Sequence, residues 1–173
     1  MLLWSSTKFL GKESFVAEST ERPHVLMMSE ITADGKLTLK KGCSSKILMK
    51  YMDPATDVLL HRTRAAYDAI MVGSNTIRID NSYLTVRSVE GKNPIRVIPA
   101  SMADIPPGSN VLSPDAPTII AVSERAPPGR VQELRDAGAI IVVAGTDHVS
   151  LPRLMQILTA DFAIHKLMIE GGP

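Results

Sequence analysis

Short aliphatic runs alternate along this chain with longer stretches in which apolar residues recur at helical spacing. Each run is four to six residues long and rich in Val, Ile, Leu or Met, which is typical of a β-strand covered on both faces. The runs predict strands over 24–29, 69–73, 94–99, 118–122, 140–144 and 166–169. Six such strands separated by helical stretches predict an α/β fold.

Capping signals predict three helices between the strands. Asp53 before Pro54 is a typical helix start, with the carboxylate as N-cap, and this helix is expected to reach about Ala66. Its buried stripe is predicted to be Ala55, Val58, Leu59, Ala65 and Ala66. Further along, 127–129 (Pro-Pro-Gly) is expected to break the chain before a helix over 130–137. Ser150 is expected to cap a helix that buries Leu151, Leu154, Met155 and Leu158.

The order of these elements predicts three layers, with a mainly parallel central sheet flanked by helices. Residues 1–21 are interrupted by charges and are predicted to be an N-terminal tail, whereas 22–173 form one domain. Ligands of such sheets bind at the carboxyl ends of the strands. Functional side chains are therefore expected in the segments 32–36, 74–80, 100–102 and 170–172.

Two of these segments carry charges whose meaning the sequence leaves open. Asp34 and Lys36 flank Gly35 after the first strand, and they form either a plain turn or an acceptor and a cation in a cleft. Glu170 precedes Gly171 and Gly172 at the end of the last strand. Paired glycines there indicate either a flexible tail or a place where a ligand closely approaches the backbone.

Two arginines also admit two interpretations. Arg64 lies off the predicted apolar stripe of its helix, and Arg87 ends a short extended segment, so both are expected to be solvated side chains. If both point into one cleft, they form a phosphate clamp instead, because guanidinium groups bind phosphate through two parallel hydrogen bonds.

Composition excludes several classes of function. The 19 basic and 18 acidic side chains leave a formal charge of +1, and aromatic residues make up 4%, which argues against nucleic-acid and acidic-membrane binders. The one cysteine, Cys43, excludes an internal disulfide and fits a reducing cytoplasm. The four histidines lack ligand spacing, so no metal site is expected.

Several short motifs, taken in order, resemble one known family, the riboflavin-biosynthesis reductases. These are the C-terminal reductase domain of the bifunctional riboflavin deaminase/reductase and the stand-alone 2,5-diamino-6-ribosylamino-4(3H)-pyrimidinone 5′-phosphate reductases. The matching segments are Thr-Ala-Asp-Gly-Lys at 32–36, Arg-Ala at 64–65, Ala-Ile-Met-Val-Gly at 69–73, Leu-Thr-Val-Arg at 84–87, Asn-Pro-Ile-Arg-Val at 93–97 and Glu-Gly-Gly-Pro at 170–173. The resemblance implies a dihydrofolate-reductase-like fold, and it begins near Arg22.

This resemblance also implies roles for individual residues. The family reduces a ribosylaminopyrimidine 5′-phosphate to its ribitylamino form with NADPH. Positions that match cofactor contacts are Thr76, Asp80, Ser101, Gly171 and Gly172. Positions that match substrate contacts are Ser45 (or its neighbour Ser44), Arg64, Leu84, Arg87 and Glu170. Glu170, Asp34 and Lys36 are the expected catalytic group.

Two other functions remain open at this point. One is a reductase of the same fold that acts on another pteridine-like substrate. The other is a non-catalytic nucleotide-binding module, because the family's sequence continues beyond the position of Pro173 with further strands and part of a homodimer contact. The resemblance thus implies a homodimer only for the longer form, and it leaves the activity of these 173 residues as an expectation.

Overall fold

Six parallel strands form one sheet in the computed structural model, which describes residues 21–171. In chain order they are β1 (His24–Met28), β2 (Ala69–Met71), β3 (Ile95–Pro99), β4 (Thr118–Val122), β5 (Ile140–Val143) and β6 (Lys166–Glu170). Their spatial order is β1-β6-β2-β3-β4-β5, and every neighbouring pair is parallel. The predicted α/β architecture is therefore confirmed, and the predicted tail over 1–21 lies almost wholly outside the described residues.

Five α-helices connect the strands. They are α1 (Lys46–Met49), α2 (Pro54–Ala66), α3 (Ser74–Asp80), α4 (Pro128–Asp136) and α5 (Leu151–Phe162), and a short 3₁₀ helix covers Asn110–Leu112. The two predicted caps are present. Asp53 accepts a hydrogen bond from the Ala55 backbone N–H at 2.7 Å, and the Ser150 hydroxyl accepts one from the Arg153 N–H at 3.4 Å.

The predictions for α2 and α4 are wrong in part. The buried face of α2 carries Leu60, His61 and Arg64, whereas Leu59 of the predicted stripe is 57% exposed and its Ala55 and Ala66 are exposed as well. Hydropathy alone defines that stripe, and this helix buries polar side chains that find partners elsewhere. The start of α4 also differs from its prediction, because Pro128 and Gly129 form its first turn and do not precede it. Proline lacks an N–H and has a helical φ, so it is well suited to that position.

The sheet has one apolar core on each face. Alternate residues of β2 point to opposite sides, so that Ile70 packs with α3 and α4 while Ala69 and Met71 pack with α5. Leu154 and Leu158 of α5 are completely buried, as predicted, whereas Leu151 is 50% exposed. The strand order also places the carboxyl ends of β1, β6 and β2 side by side, with Met28 paired to Glu170 and Met71 to Ile169.

Candidate active site

A cavity of about 140 Å³ opens at the carboxyl ends of the adjacent strands β1, β6 and β2. Eight of the predicted site residues line it although they come from distant parts of the chain: Ser45, Arg64, Thr76, Asp80, Leu84, Arg87, Glu170 and Gly171. Sequence reasoning missed the other lining residues, which are Glu30, Lys46, Met49, Leu60, Val72, Ser82, Tyr83 and Asn110. The cavity is thus where a parallel sheet is expected to bind its ligand.

Arg64 and Glu170 form a bidentate ion pair on the cavity wall. The Arg64 Nε donates to one carboxylate oxygen at 2.6 Å, and Nη2 donates to the other at 2.7 Å. The remaining nitrogen, Nη1, donates to the Thr85 backbone carbonyl at 2.9 Å. The side chain of Arg64 is 6% exposed and that of Glu170 is 15% exposed. Arg64 is therefore a buried partner of Glu170, in contrast to the solvated side chain that its sequence position suggests.

Arg87 is the more accessible of the two predicted arginines. Its Nη1 donates to the Thr85 hydroxyl at 3.1 Å, which leaves most of its five N–H donors for a ligand. Burial and the nearby Arg64 lower the pKa of Arg87, while Asp57 and Glu170 oppose that shift. A guanidinium that is partly desolvated and faces a second cation is well placed to bind an anion.

Ser45 and Asp80 hold the other side of the cavity together. The Ser45 hydroxyl donates to one Asp80 oxygen at 2.7 Å, and its backbone N–H donates to the other at 3.2 Å. Asp80 is 4% exposed and lies at the end of α3. These bonds join the segment before α1 to the helix after β2, so that the predicted substrate contact and the predicted cofactor contact touch each other.

Leu84 forms a strained part of the same wall. It is 2% exposed and has a φ of 54°, in the left-handed region that bulky side chains rarely adopt. This conformation costs about 1–2 kcal/mol, which the buried side chain and its neighbours must offset. The left-handed backbone at Leu84 sets the direction in which the chain continues toward Thr85 and Arg87.

Glu30 is the most informative of the residues that sequence reasoning missed. It lies two residues after β1, so the same rule that selected 32–36 would have found it in a slightly wider window. Burial raises the pKa of Glu30 above its ordinary value of 4.5, and the Glu170 carboxylate raises it further, whereas Arg64 and a backbone hydrogen bond act in the opposite direction. Glu30 therefore has a raised proton affinity in the cavity.

Replacing Glu30 by glutamine tests this electrostatic coupling. Because the pKa of Glu30 is raised in the folded state, its protonated carboxyl contributes stability that is fully present below pH 4.5. This contribution is lost as the pH rises through the pKa of Glu30 in the folded protein. We expect Glu30→Gln to be more stable than the wild type at neutral pH, because the amide carries no charge to desolvate. Thermal unfolding of both proteins over a pH series measures this. The difference should vanish at acid pH, and a constant difference at all pH values would contradict the explanation.

Comparison with known proteins identifies the family of this chain. The model of the RibD C-terminal domain matches residues 23–173. The chain belongs to the RibD C-terminal domain family. Two relatives are named 2,5-diamino-6-ribosylamino-4(3H)-pyrimidinone 5′-phosphate reductase. The one from Aquifex aeolicus is 48% identical over 88% of this chain and 68% of its own length, and the one from Methanothermobacter thermautotrophicus is 44% identical over 87% and 68%.

Solved structures of RibD reductases share the fold. A deaminase/reductase from Thermotoga maritima is similar with a TM-score of 0.66 and 27% identity, over 87% of this chain and 39% of that one. The riboflavin biosynthesis reductase Rib7 of Saccharomyces cerevisiae gives a TM-score of 0.67 at 22% identity, over 87% of this chain and 63% of its own. The dihydrofolate-reductase-like fold implied by the sequence resemblance is consistent with these matches.

The structure does not bring every predicted RibD site residue to the cavity. Asp34 and Lys36 pair with each other on an exposed turn, where Asp34 also accepts from the Thr32 hydroxyl. These two hydrogen bonds lower the pKa of Asp34. The Ser101 hydroxyl accepts from the Val149 N–H at 3.0 Å and does not line the cavity. Gly172 lies outside the described residues. The roles of these four residues stay predictions.

Gly171 packs closely against the segment that follows β1. It follows β6, and its N–H donates to the Met28 carbonyl at 3.3 Å. A Cβ added at Gly171 would lie 2.8 Å from the Ser29 hydroxyl, so the two chain segments already touch. Thr76 and Asp80 face the same space from α3. Thr76, Asp80 and Gly171 would be the residues that hold a nicotinamide cofactor at this edge of the sheet, where it would supply a hydride.

Two absences in the described part of the chain bear on other functions. Among residues 21–171, no group of three His, Cys, Asp or Glu side chains is arranged to hold a metal ion. None of the helices within that segment is long and apolar enough to cross a membrane.

Proposed function

We propose that this chain carries out the NADPH-dependent reduction of 2,5-diamino-6-ribosylamino-4(3H)-pyrimidinone 5′-phosphate to its ribitylamino form. Membership of the RibD C-terminal domain family and relatives named as reductases support an oxidoreductase. The diamino substrate is preferred to the deaminated uracil form because both of these relatives carry the diamino name.

The observation that carries the proposal is the cavity that collects the eight predicted site residues. They come from α2, α3, β6 and the segments around them, and they lie together at the edge where parallel sheets bind ligands. The same cavity presents both cations and carboxylates, as a phosphorylated sugar with several hydroxyl groups requires.

The proposed reaction changes one carbon of the sugar. The bond from C1′ to the ring oxygen breaks, the amine nitrogen forms a C=N bond to C1′, and the proton that it releases passes to the ring oxygen as a hydroxyl. A hydride then adds to C1′ and a proton from solvent adds to nitrogen, which yields the ribitylamine. NADPH, when bound, supplies that hydride.

The chain's own residues hold the substrate for this change. Arg87 binds the 5′-phosphate, because its guanidinium is the cavity arginine with free donors. Glu170 accepts hydrogen bonds from sugar hydroxyls, and Arg64 fixes the plane of its carboxylate. Glu30 lines the same cavity, and burial together with the Glu170 carboxylate raises its pKa, so it is the group we assign to exchange a proton with the substrate. Thr76, Asp80 and Gly171 hold the cofactor.

An absorbance assay of the purified chain tests the proposed activity. NADPH oxidation is followed with the diamino compound, the deaminated compound and dihydrofolate in parallel, each with NADH as a second reductant. Oxidation that requires the diamino compound supports the proposal. Reduction of the deaminated compound alone would change the substrate, activity on dihydrofolate alone would favour the pteridine-like alternative, and no oxidation by folded protein would refute the activity.

Arg87→Met tests the assignment of the phosphate. A charge-assisted hydrogen bond contributes about 1.5–3 kcal/mol, so the KM for the phosphorylated substrate should rise about ten- to a hundredfold. The matched control is Arg62→Met, because Arg62 is exposed on α2 and does not line the cavity. Equal KM values for the wild type and Arg87→Met would remove Arg87 from phosphate binding.

We also propose a cytoplasmic setting and, for the longer form that the family resemblance implies, a homodimer. A reducing cytoplasm suits a chain with one exposed cysteine, Cys43, and an NADPH-dependent biosynthetic reaction. Light scattering of the protein over a concentration series measures the oligomeric state directly.

A further inference from the structure

His61 is a buried side chain for which the proposed reaction has no direct use. It lies on α2 with 1% exposure, one turn before Arg64. Its Nδ1 accepts a hydrogen bond from the Arg87 backbone N–H at 3.2 Å. An Nδ1 that accepts must be unprotonated, so the neutral imidazole carries its proton on Nε2.

The other ring nitrogen is directed toward Asp57, one turn earlier on the same helix. The Nε2 atom lies 3.6 Å from one Asp57 oxygen. The second Asp57 oxygen accepts a hydrogen bond from the hydroxyl of Ser88, the residue after Arg87. Asp57 and His61 therefore hold two consecutive residues, Arg87 and Ser88, against α2, and the backbone of the anion-binding arginine is fixed from behind.

The charges that face His61 favour its neutral form. Burial lowers the pKa of His61, and the Arg64 and Arg87 guanidinium groups lower it further, whereas Asp57 and Glu170 act in the opposite direction. In the folded protein, His61 consequently becomes protonated below its ordinary pKa of 6.5. The folded protein therefore loses stability relative to the unfolded chain as the pH falls and His61 takes up a proton. A proton on Nδ1 would remove the acceptor for the Arg87 N–H and add a third cation to the cluster.

We propose that His61 is a positioning residue for Arg87, and that its neutral imidazole sets the acid limit for binding a phosphorylated sugar in this cavity. The inference rests on the proposed function for the identity of the anion. It requires only that Arg87 binds a sugar phosphate, so it can be tested with a probe that undergoes no reduction.

The first experiment measures the affinity for ribose 5-phosphate by calorimetry over a pH series. The proteins are the wild type, His61→Asn, His61→Leu and the control His165→Leu, whose histidine is exposed before β6. Asparagine offers an oxygen close to the position of Nδ1 but does not titrate. Leucine removes the acceptor, and loss of one hydrogen bond of about 0.5–1.5 kcal/mol corresponds to about two- to tenfold weaker binding.

The expected results separate positioning from general stability. His61→Leu should bind more weakly than the wild type at neutral pH and approach it at acid pH, where the wild type loses the same acceptor. His61→Asn should bind like the wild type at neutral pH and lose less affinity on acidification. The ionisation of the probe's phosphate is common to all four proteins and cancels when they are compared. If the substrate is reduced, the same pattern should appear in KM with little change in kcat.

Several outcomes would overturn the inference. They are an affinity of His61→Leu equal to that of the wild type at neutral pH, an acid-side loss in His61→Asn as steep as in the wild type, or no binding of ribose 5-phosphate to the wild type. If His61→Leu does not fold, the comparison of His61→Asn with the wild type decides. If the variants bind ribose 5-phosphate with the expected pattern but the protein reduces no substrate, the proposed reaction is refuted and the positioning role of His61 is retained.

Nitrogen NMR of the imidazole provides a readout that requires no ligand. We expect the Nε2–H tautomer at neutral pH and an Arg87 amide signal that shifts together with the titration of His61, with a midpoint below 6.5. An Arg87 amide that does not respond to His61 would contradict the proposed contact.

Discussion

Arg64→Leu is expected to lower the free energy of unfolding by about 3–5 kcal/mol, because it leaves the Glu170 carboxylate without its partner in a largely buried site. Both Glu170 oxygens accept from Arg64, and the two side chains are only 6% and 15% exposed. Denaturant unfolding of the purified variant measures the loss. Solvent screens this pair only weakly because both side chains are largely buried. Breaking it should therefore cost more free energy of unfolding than breaking an exposed ion pair.

The double variant Arg64→Leu/Glu170→Leu is the matched control. Replacing both members of a buried ion pair by apolar side chains is often close to neutral, so most of the lost stability should return. Activity should not return, because Glu170 also lines the cavity. A loss below about 1 kcal/mol in the single variant would show that the pair behaves like an exposed one.

The strands were predictable because their signal is local. The segment 118–122 consists of five buried residues, and its predicted limits match those of β4. The starts of α2 and α5 followed from Asp53 and Ser150, whose side chains bond to backbone N–H groups within three residues. The hydrophobic pattern did not predict the insertion of β6 between β1 and β2, since pairing between distant strands leaves no mark in either strand's own sequence.

Arg64 shows why the site was harder to predict than the sheet. Hydropathy predicts that an arginine is exposed, whereas Arg64 is buried because it pairs with the carboxylate of Glu170, 106 positions away in the chain. His61 is hidden in the same manner by a backbone N–H that lies 26 positions away. In both cases the partner, and not the residue itself, makes burial favourable. The residue pattern offered Arg64 as one half of a phosphate clamp, and the family resemblance favoured a site role for it.

Asp34 and Lys36 are a different case, because the structure places them on an exposed turn away from the cavity. Their charges suggested chemistry, but the hydrogen bonds of Thr32, Asp34 and Lys36 are all made within one five-residue turn. A short polar segment can satisfy itself locally, and the sequence alone does not tell this case from a ligand-binding loop. For that reason the sequence of this segment is compatible both with a plain turn and with a pair of charges that lines a cleft.

Arg96→Met is expected to destabilise the fold by about 3 kcal/mol or more, because it removes a buried charge that several carbonyl groups solvate. Arg96 lies on β3 with 0% exposure. Its Nη1 donates to the Asn110 carbonyl at 3.1 Å, and Nη2 donates to the carbonyls of Ser113, at 2.7 Å, and Ala116. Each buried carbonyl that loses its donor costs about 1–3 kcal/mol. Thermal and denaturant unfolding measure the effect.

Arg96→Lys separates the charge of this side chain from its shape. Lysine retains the positive charge, but its single ammonium group cannot reach the separated carbonyls that the planar guanidinium spans. We therefore expect Arg96→Lys to be nearly as unstable as Arg96→Met, and the segment 105–117 to lose protection from hydrogen exchange before the sheet does. Stability close to that of the wild type in the lysine variant would mean that the charge alone, and not the geometry of the guanidinium, holds this segment against β3.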